Sequence, residues 1–217
     1  MSVSVPNRSA EDGFSLLEVV VAITILTVGL LATALLSTNM MSGGERSRYM
    51  SLAAALASEK LEDLNRWAPD NPQVCLPTGS TIVGSLTTNV LQTTSCSGGQ
   101  SASVSYYDEV NIALTGNGTG TNCPGVTSGC LAETVSSVSN GATVYTTTYH
   151  TPDGQINVNT SSTAPTTTSF QRNWVIEVNP TVNGAGIVGV RRVTVLVTLM
   201  DNSVQPPVTF QTSLVRP

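Results

Sequence analysis

The longest apolar run begins close to the amino terminus. From Val19 to Gly44 the chain carries no formal charge, and 19–36 is Val, Ile, Leu and Ala, interrupted only by Thr24, Thr27, Gly29 and Thr33. About 20 residues rising ~1.5 Å each cross a ~30 Å hydrocarbon layer, so the run predicts one transmembrane helix. A secretory signal peptide fits less well: the run is too long, its leading segment is not basic and no A-x-A-like site follows. Past this segment, 45–67 contains no proline and is rich in Ala, Leu, Glu and Arg. Leu52, Ala53, Leu56, Ala57, Leu61 and Leu64 recur there at three- and four-residue steps, which predicts one apolar helix face with Glu59, Lys60, Glu62, Asp63 and Arg66 on the others. A continuous helix over 15–67 is expected, with Gly43 and Gly44 as its weak point and Pro69 and Pro72 beyond its end.

The pattern then changes period. Val193, Val195, Val197 and Leu199 alternate with Thr194, Leu196 and Thr198, as in a strand with one face on a core. "NWVIEV" before it and "PVTFQTSL" after it are also β-rich, and turn-like segments separate the three, so 172–217 reads as an antiparallel meander. Between helix and meander, 69–171 is dominated by Gly, Ser, Thr and Asn and reads as a loop-rich region, with candidate strands at 103–107, 110–114 and 142–149. The fold class expected is α+β: a long N-terminal helix packed on a C-terminal antiparallel sheet, with long Ser/Thr/Gly-rich loops.

Composition narrows the function. Charged residues make up 11% of the chain, against roughly 25% in an average soluble protein. Nine Lys plus Arg and a net charge of −5 give no basic face for nucleic acid, so no nucleic-acid partner is expected. The four cysteines, Cys75, Cys96, Cys123 and Cys130, have no C-x-x-C spacing, and His150 is the only histidine. That favours two disulfides over a metal site and places the region in an oxidising compartment. Of three connectivities, Cys75–Cys96 with Cys123–Cys130 is preferred.

One charge stands out. Glu18 opens the apolar segment, where an ionisable group costs roughly 2.5–3.5 kcal/mol at the bilayer centre and calls for a partner. Near the helix start it faces the headgroups and the positive end of the helix dipole. The stretch "GFSLLEVVVAITILTVGLLATALL", from Gly13, resembles the N-terminus of type IV pilins and the related pseudopilins. The resemblance implies a hydrophilic leader (1–13) that a prepilin peptidase removes between Gly13 and Phe14, and N-methylation of Phe14. It also implies that Glu18 pairs with the N-terminal amine of a neighbouring subunit. The leader departs from the family pattern in ending "AEDG", with acidic residues where Lys or Arg is usual. On this reading 14–36 is the transmembrane and later filament-core half of the helix, and 37–68 is its amphipathic half.

The resemblance further implies prepilin peptidase, other major and minor pilins and inner-membrane lipid as partners. It implies a single-pass inner-membrane protein with its C-terminal domain in the periplasm, then a place in the pilus at the cell surface. "GLLA", "LAAALASEKLEDL" and the C-terminal strands resemble PilV-type minor pilins in particular. The expected function is therefore that of a minor type IV pilin serving assembly initiation, adhesion or motility. The alternatives are a minor pseudopilin of a type II secretion system and a pilus-associated or membrane-anchored adhesin. No enzyme and no cofactor are expected. A triad needs a histidine, and His150 in "TYHTPDG" reads as a strand-end or turn residue. Asp108 and Glu109, adjacent in a strand, point to opposite faces and read as solvated charges.

Overall fold

The structure, a computed structural model, describes residues 15–96, 101–112, 130–151, 154–165, 168–201, 204 and 206–216. Gly13, Phe14 and Cys123 lie outside these residues. The chain divides into two units, 1–45 and 46–217.

In the first unit the described residues are one stretch of helix α1 (Leu16–Arg66), preceded by Ser15. Every side chain from 15 to 45 is exposed, on a surface that is apolar all round. The interruptions in the apolar run are neutralised locally. The hydroxyls of Thr24, Thr27 and Thr33 each donate to the carbonyl three residues earlier, at 2.8–2.9 Å. A threonine whose hydroxyl is satisfied within its own helix presents mainly its methyl group, so it is tolerated in hydrocarbon. Gly43 and Gly44, expected to be a weak point, are helical.

The second unit is a head built on one large sheet. Its members are β1 (Ile82–Gly84), β4 (Tyr107–Ile112), β5 (Leu131–Ser139), β6 (Ala142–His150), β7 (Ile156–Ser161), β8 (Phe170–Val178), β11 (Arg191–Leu199) and β12 (Thr209–Arg216). Their order is β12-β11-β8-β4-β5-β6-β7, all antiparallel, and β1 shares one edge of β8 with β4. Two short hairpins lie off this sheet, β2 (Leu91–Ser95) with β3 (Ser101–Ser105) and β9 (Thr181–Val182) with β10 (Ala185–Gly186).

One face of the sheet receives the C-terminal part of α1. Ala53, Leu56, Ala57, Leu61 and Leu64 bury themselves against Phe170, Trp174 and Ile176 of β8 and Val193, Val195, Val197 and Leu199 of β11. The small alanines at 53 and 57 let the helix backbone approach the strands closely. Burying one such aliphatic side chain contributes roughly 1.5–3 kcal/mol, and this stripe is what holds helix to sheet.

The long helix and C-terminal meander are present: β8, β11 and β12 are neighbours in sequence order once the β9–β10 hairpin is set aside. The sheet itself is larger than a three-stranded meander. The Ser/Thr/Asn-rich region contributes β4 to β7, including Tyr107–Ile112 and Ala142–His150 where strands at 110–114 and 142–149 were expected. β5 and β6 are joined by Asn140 and Gly141, both at positive φ (51° and 77°), the Asn-Gly pairing that closes a two-residue hairpin turn without splaying its strands.

Candidate functional site

Two places in the chain hold charge where burial or lipid penalises it, and they are built differently.

At the helix start, Ser15 caps α1. The Glu18 backbone N–H donates to the Ser15 hydroxyl at 3.2 Å and to its carbonyl at 3.0 Å. Ser15 thus occupies the N-cap and Glu18 the third helical position, the S-x-x-E spacing of a capping box. Sequence reading assigned Glu18 a partner outside the chain; its backbone also has a local job, in which Ser15 satisfies one of the helix's orphan donors. The Glu18 side chain is exposed, as are Leu16, Leu17 and the apolar residues behind them. An 18-residue window here reaches a mean hydropathy of 2.7 with none of it buried. A surface this apolar needs lipid or other protein chains to cover it.

The second place is inside the head. Arg172 of β8, 1% exposed, donates to both carboxylate oxygens of Asp108 on β4, from Nε at 2.6 Å and Nη2 at 2.8 Å. Asp108 also accepts from Lys60 of α1 at 3.0 Å. The Lys60 ammonium sits 4.3 Å from the centre of the Trp174 ring, so it is held by a carboxylate and an aromatic face together. Arg172 reaches further, donating to Glu133 on β5 and to the Leu56 carbonyl. Glu133 in turn bonds Nε2 of His150 on β6 at 3.2 Å. One connected set of charges therefore ties the helix to four strands.

The two buried groups shift as this geometry requires. Burial pushes the Asp108 carboxyl upward, but Lys60 and Arg172 more than offset it and hold it below the ordinary carboxylate range. Burial acts to lower Arg172, and Asp108 with Glu133 more than offset it, so the guanidinium stays charged. Beside the set lies a cleft of about 280 Å³, lined by Glu59, Glu62, Asp63 and Arg66 as well. Glu59 there is raised, first by partial burial and then by the charge of Glu133. Lys60 also pairs with Asp63 at 3.8 Å, so two cations are shared among three carboxylates and the set works as a fastener. No group of three or more His, Cys, Asp and Glu among the described residues is arranged for a metal ion.

This corrects two readings. Asp108 is not a solvated charge: it is 1% exposed and fully engaged, while Glu109, on the other sheet face, accepts from the Thr168 hydroxyl at 3.0 Å. Lys60 does not belong to the solvent side of the helix, since its ammonium turns in to Asp108. The sequence held one signal of this: between Asp70 and Gln171 there is no Lys or Arg, so acidic residues buried there must find their cations in the helix or in β8.

The cysteines fall as follows. Cys75 and Cys96 are joined, with an S–S distance of 2.00 Å and Cα atoms 5.9 Å apart. This pins the segment leaving the helix to the end of β2. Cys130 is buried and is not a free thiol; Cys123 lies outside the described residues.

The fold defines a class: an α+β chain whose long N-terminal helix is bare and apolar over its first half and docked on an antiparallel sheet over its second. Residues 8–34 match the family model described as the prokaryotic N-terminal methylation motif. That motif supports the type IV pilin and pseudopilin family, and with it prepilin peptidase processing, membrane anchoring and a structural role. Neither a curated protein nor a solved structure matches the chain.

Proposed function

We propose that this chain is a minor type IV pilin. Prepilin peptidase cuts it between Gly13 and Phe14 and N-methylates Phe14. The Glu18 carboxylate, carried at the helix start, receives the new amine of a neighbouring subunit as the helix passes from lipid into the filament. The observation that carries the reading is the sequence G-F-S-L-L-E leading into an apolar helical stretch whose side chains are all exposed from 15 to 45. Only a bilayer and then a bundle of like helices supplies cover for such a surface in turn. A cleaved amine is also the one positive partner that would appear beside Glu18 after insertion. In this reading the head lies in the periplasm before assembly, where the Cys75–Cys96 bond forms, and at the cell surface afterwards.

The test is mass spectrometry of filaments sheared from cells, searching for a peptide that begins at N-methylated Phe14. Its presence supports the pilus role. A processed chain confined to the envelope and missing from sheared filaments moves the assignment to a type II secretion pseudopilin. A chain still carrying 1–13 removes both.

A further inference from the structure

β7 is last in the sheet, so one of its two edges has no strand beside it. The polarity of that edge is fixed by its inner neighbour. The Thr151 N–H donates to the Gln155 carbonyl at 3.0 Å, one step beyond the pair His150–Ile156 in the β6–β7 register. In an antiparallel ladder, successive residues of a strand bond alternately to one side and the other. Gln155, Asn157, Asn159 and Ser161 therefore bond towards β6. Ile156, Val158 and Thr160 turn their N–H and C=O groups away from the sheet.

The side chains of these three lie on the face that packs the helix, because Ile156 stands opposite His150 and Val158 opposite Thr148, itself opposite Glu133. They are open: Ile156 is 64% and Val158 63% exposed, and Thr160 is exposed too. An edge of this kind normally carries a lysine, a proline or a bulge that stops another strand from adding to it. Ile156–Ser161 reads INVNTS, with no charge and no proline, and its register runs without a bulge. The strand at the other end of the sheet, β12, differs: Pro206 and Pro207 precede it and it ends in Arg216.

β7 is also its own complement. A second β7, turned antiparallel and centred on Val158, sets Val158 opposite Val158, Ile156 opposite Thr160 and Asn157 opposite Asn159. β-Branched side chains then meet on one face and amides on the other, and no charge faces another. The outward residues of the two strands exchange about six backbone hydrogen bonds. An edge this short falls at the low end of interface sizes. Confinement in one membrane raises the effective concentration of the two copies and compensates for that.

We propose that β7 is a self-association edge, at which two copies of this chain join their sheets by antiparallel β7–β7 pairing centred on Val158. The pairing uses the membrane anchor and not the pilus assignment, so either can fail alone.

Single cysteines in the full chain test it, in membranes of cells that express it, since the native cysteines offer no free thiol. Val158→Cys sets two sulfurs on a pair whose Cα atoms are about 5.5 Å apart, within reach of a disulfide. Thr160→Cys lies on the same face, but its Cα is about 14 Å from its copy. After oxidation with copper–phenanthroline, non-reducing electrophoresis is expected to show at least tenfold more linked dimer for Val158→Cys. Adding Thr160→Pro to Val158→Cys removes an outward N–H and leaves the ladder to β6 intact. It is expected to cut linking tenfold at an unchanged melting temperature. Equal linking by the two cysteine variants, or more from Thr160→Cys, would overturn the proposal. No linked dimer from either would overturn it and leave the edge to a different chain. Undiminished linking by a Thr160→Pro chain that melts as its parent does would also overturn it.

Discussion

Arg172 and Asp108 lie 64 residues apart in sequence and meet in register across β8 and β4, the guanidinium closing on both carboxylate oxygens with neither group reaching water. Removing one member strands the other as an uncompensated buried charge. Asp108→Ala is therefore expected to destabilise the head by about 3–5 kcal/mol. Replacing Lys60, Asp108 and Arg172 together by apolar residues of similar volume is expected to recover much of that loss. Denaturant unfolding of the detergent-solubilised chain, followed by circular dichroism, measures both; equal losses in the single and triple variants would contradict the account.

The same pair sets an acid limit. Asp108 is lowered in the folded state, so its contribution is fully present above its unfolded value of about 3.9 and is lost as pH falls through the lower folded value. Glu59 is raised, so its sign is opposite: it opposes folding as pH rises past the unfolded value, and protonation relieves it. Glu59→Gln is expected to leave stability at neutral pH unchanged or slightly higher and to make no difference below both values. A melting-temperature profile from pH 2 to 8 on parent and variant tests the two signs together.

Ser15 and Glu18 allow capping to be separated from charge pairing. Ser15→Ala removes the hydroxyl that accepts the Glu18 N–H and is expected to cost roughly 0.5–2 kcal/mol at the helix start. Glu18→Gln keeps a side chain suited to a capping box but has no charge. If pairing with a neighbour's amine is what retains Glu18, Glu18→Gln and Glu18→Ala should both insert in the membrane and both fail to enter filaments. Normal incorporation of Glu18→Gln would leave capping as the sufficient explanation.

The Cys75–Cys96 bond closes a sequence separation of 21 residues. Loop-closure entropy for a ring of that size is worth about 3 kcal/mol. Cys75→Ser/Cys96→Ser is expected to unfold at correspondingly lower denaturant, and chain treated with reductant should fall at least as far, since Cys130 is oxidised too.

Among the described glycines Gly84 has the least room for a side chain. Its φ is +80°, and a Cβ there would stand 2.2 Å from the Trp174 carbonyl oxygen and 3.1 Å from the Tyr106 ring. The backbone conformation alone would cost another residue about 1–3 kcal/mol, before the clash with an immovable carbonyl. Gly84→Ala is expected to detach β1 from β8, read as faster amide exchange at Val83.

The sequence made the helix legible because its apolar stripe keeps one period from Ala53 to Leu64, and β11 because its alternation is unbroken. Both patterns are local. The ion set was not legible. Lys60, Asp108, Glu133 and Arg172 each sit among polar neighbours and look like ordinary surface charges until topology brings four elements together. Strands β5 to β7 were hard to place for a related reason. Thr or Ser stands on both faces of β5 and β6, so the alternation that burial imposes on β5 leaves little trace in residue type.

β8 pairs with β1, β4 and β11, packs its inner side chains under the helix and carries the arginine that gathers the buried carboxylates. Yet it is made late, after its partners β1 and β4 and after the helix face it will meet. During synthesis the apolar amino-terminal segment is therefore complete, and available to lipid, before the head has the strand around which it closes. Folding of the head belongs to a chain already tethered, and it waits on the last quarter of the message.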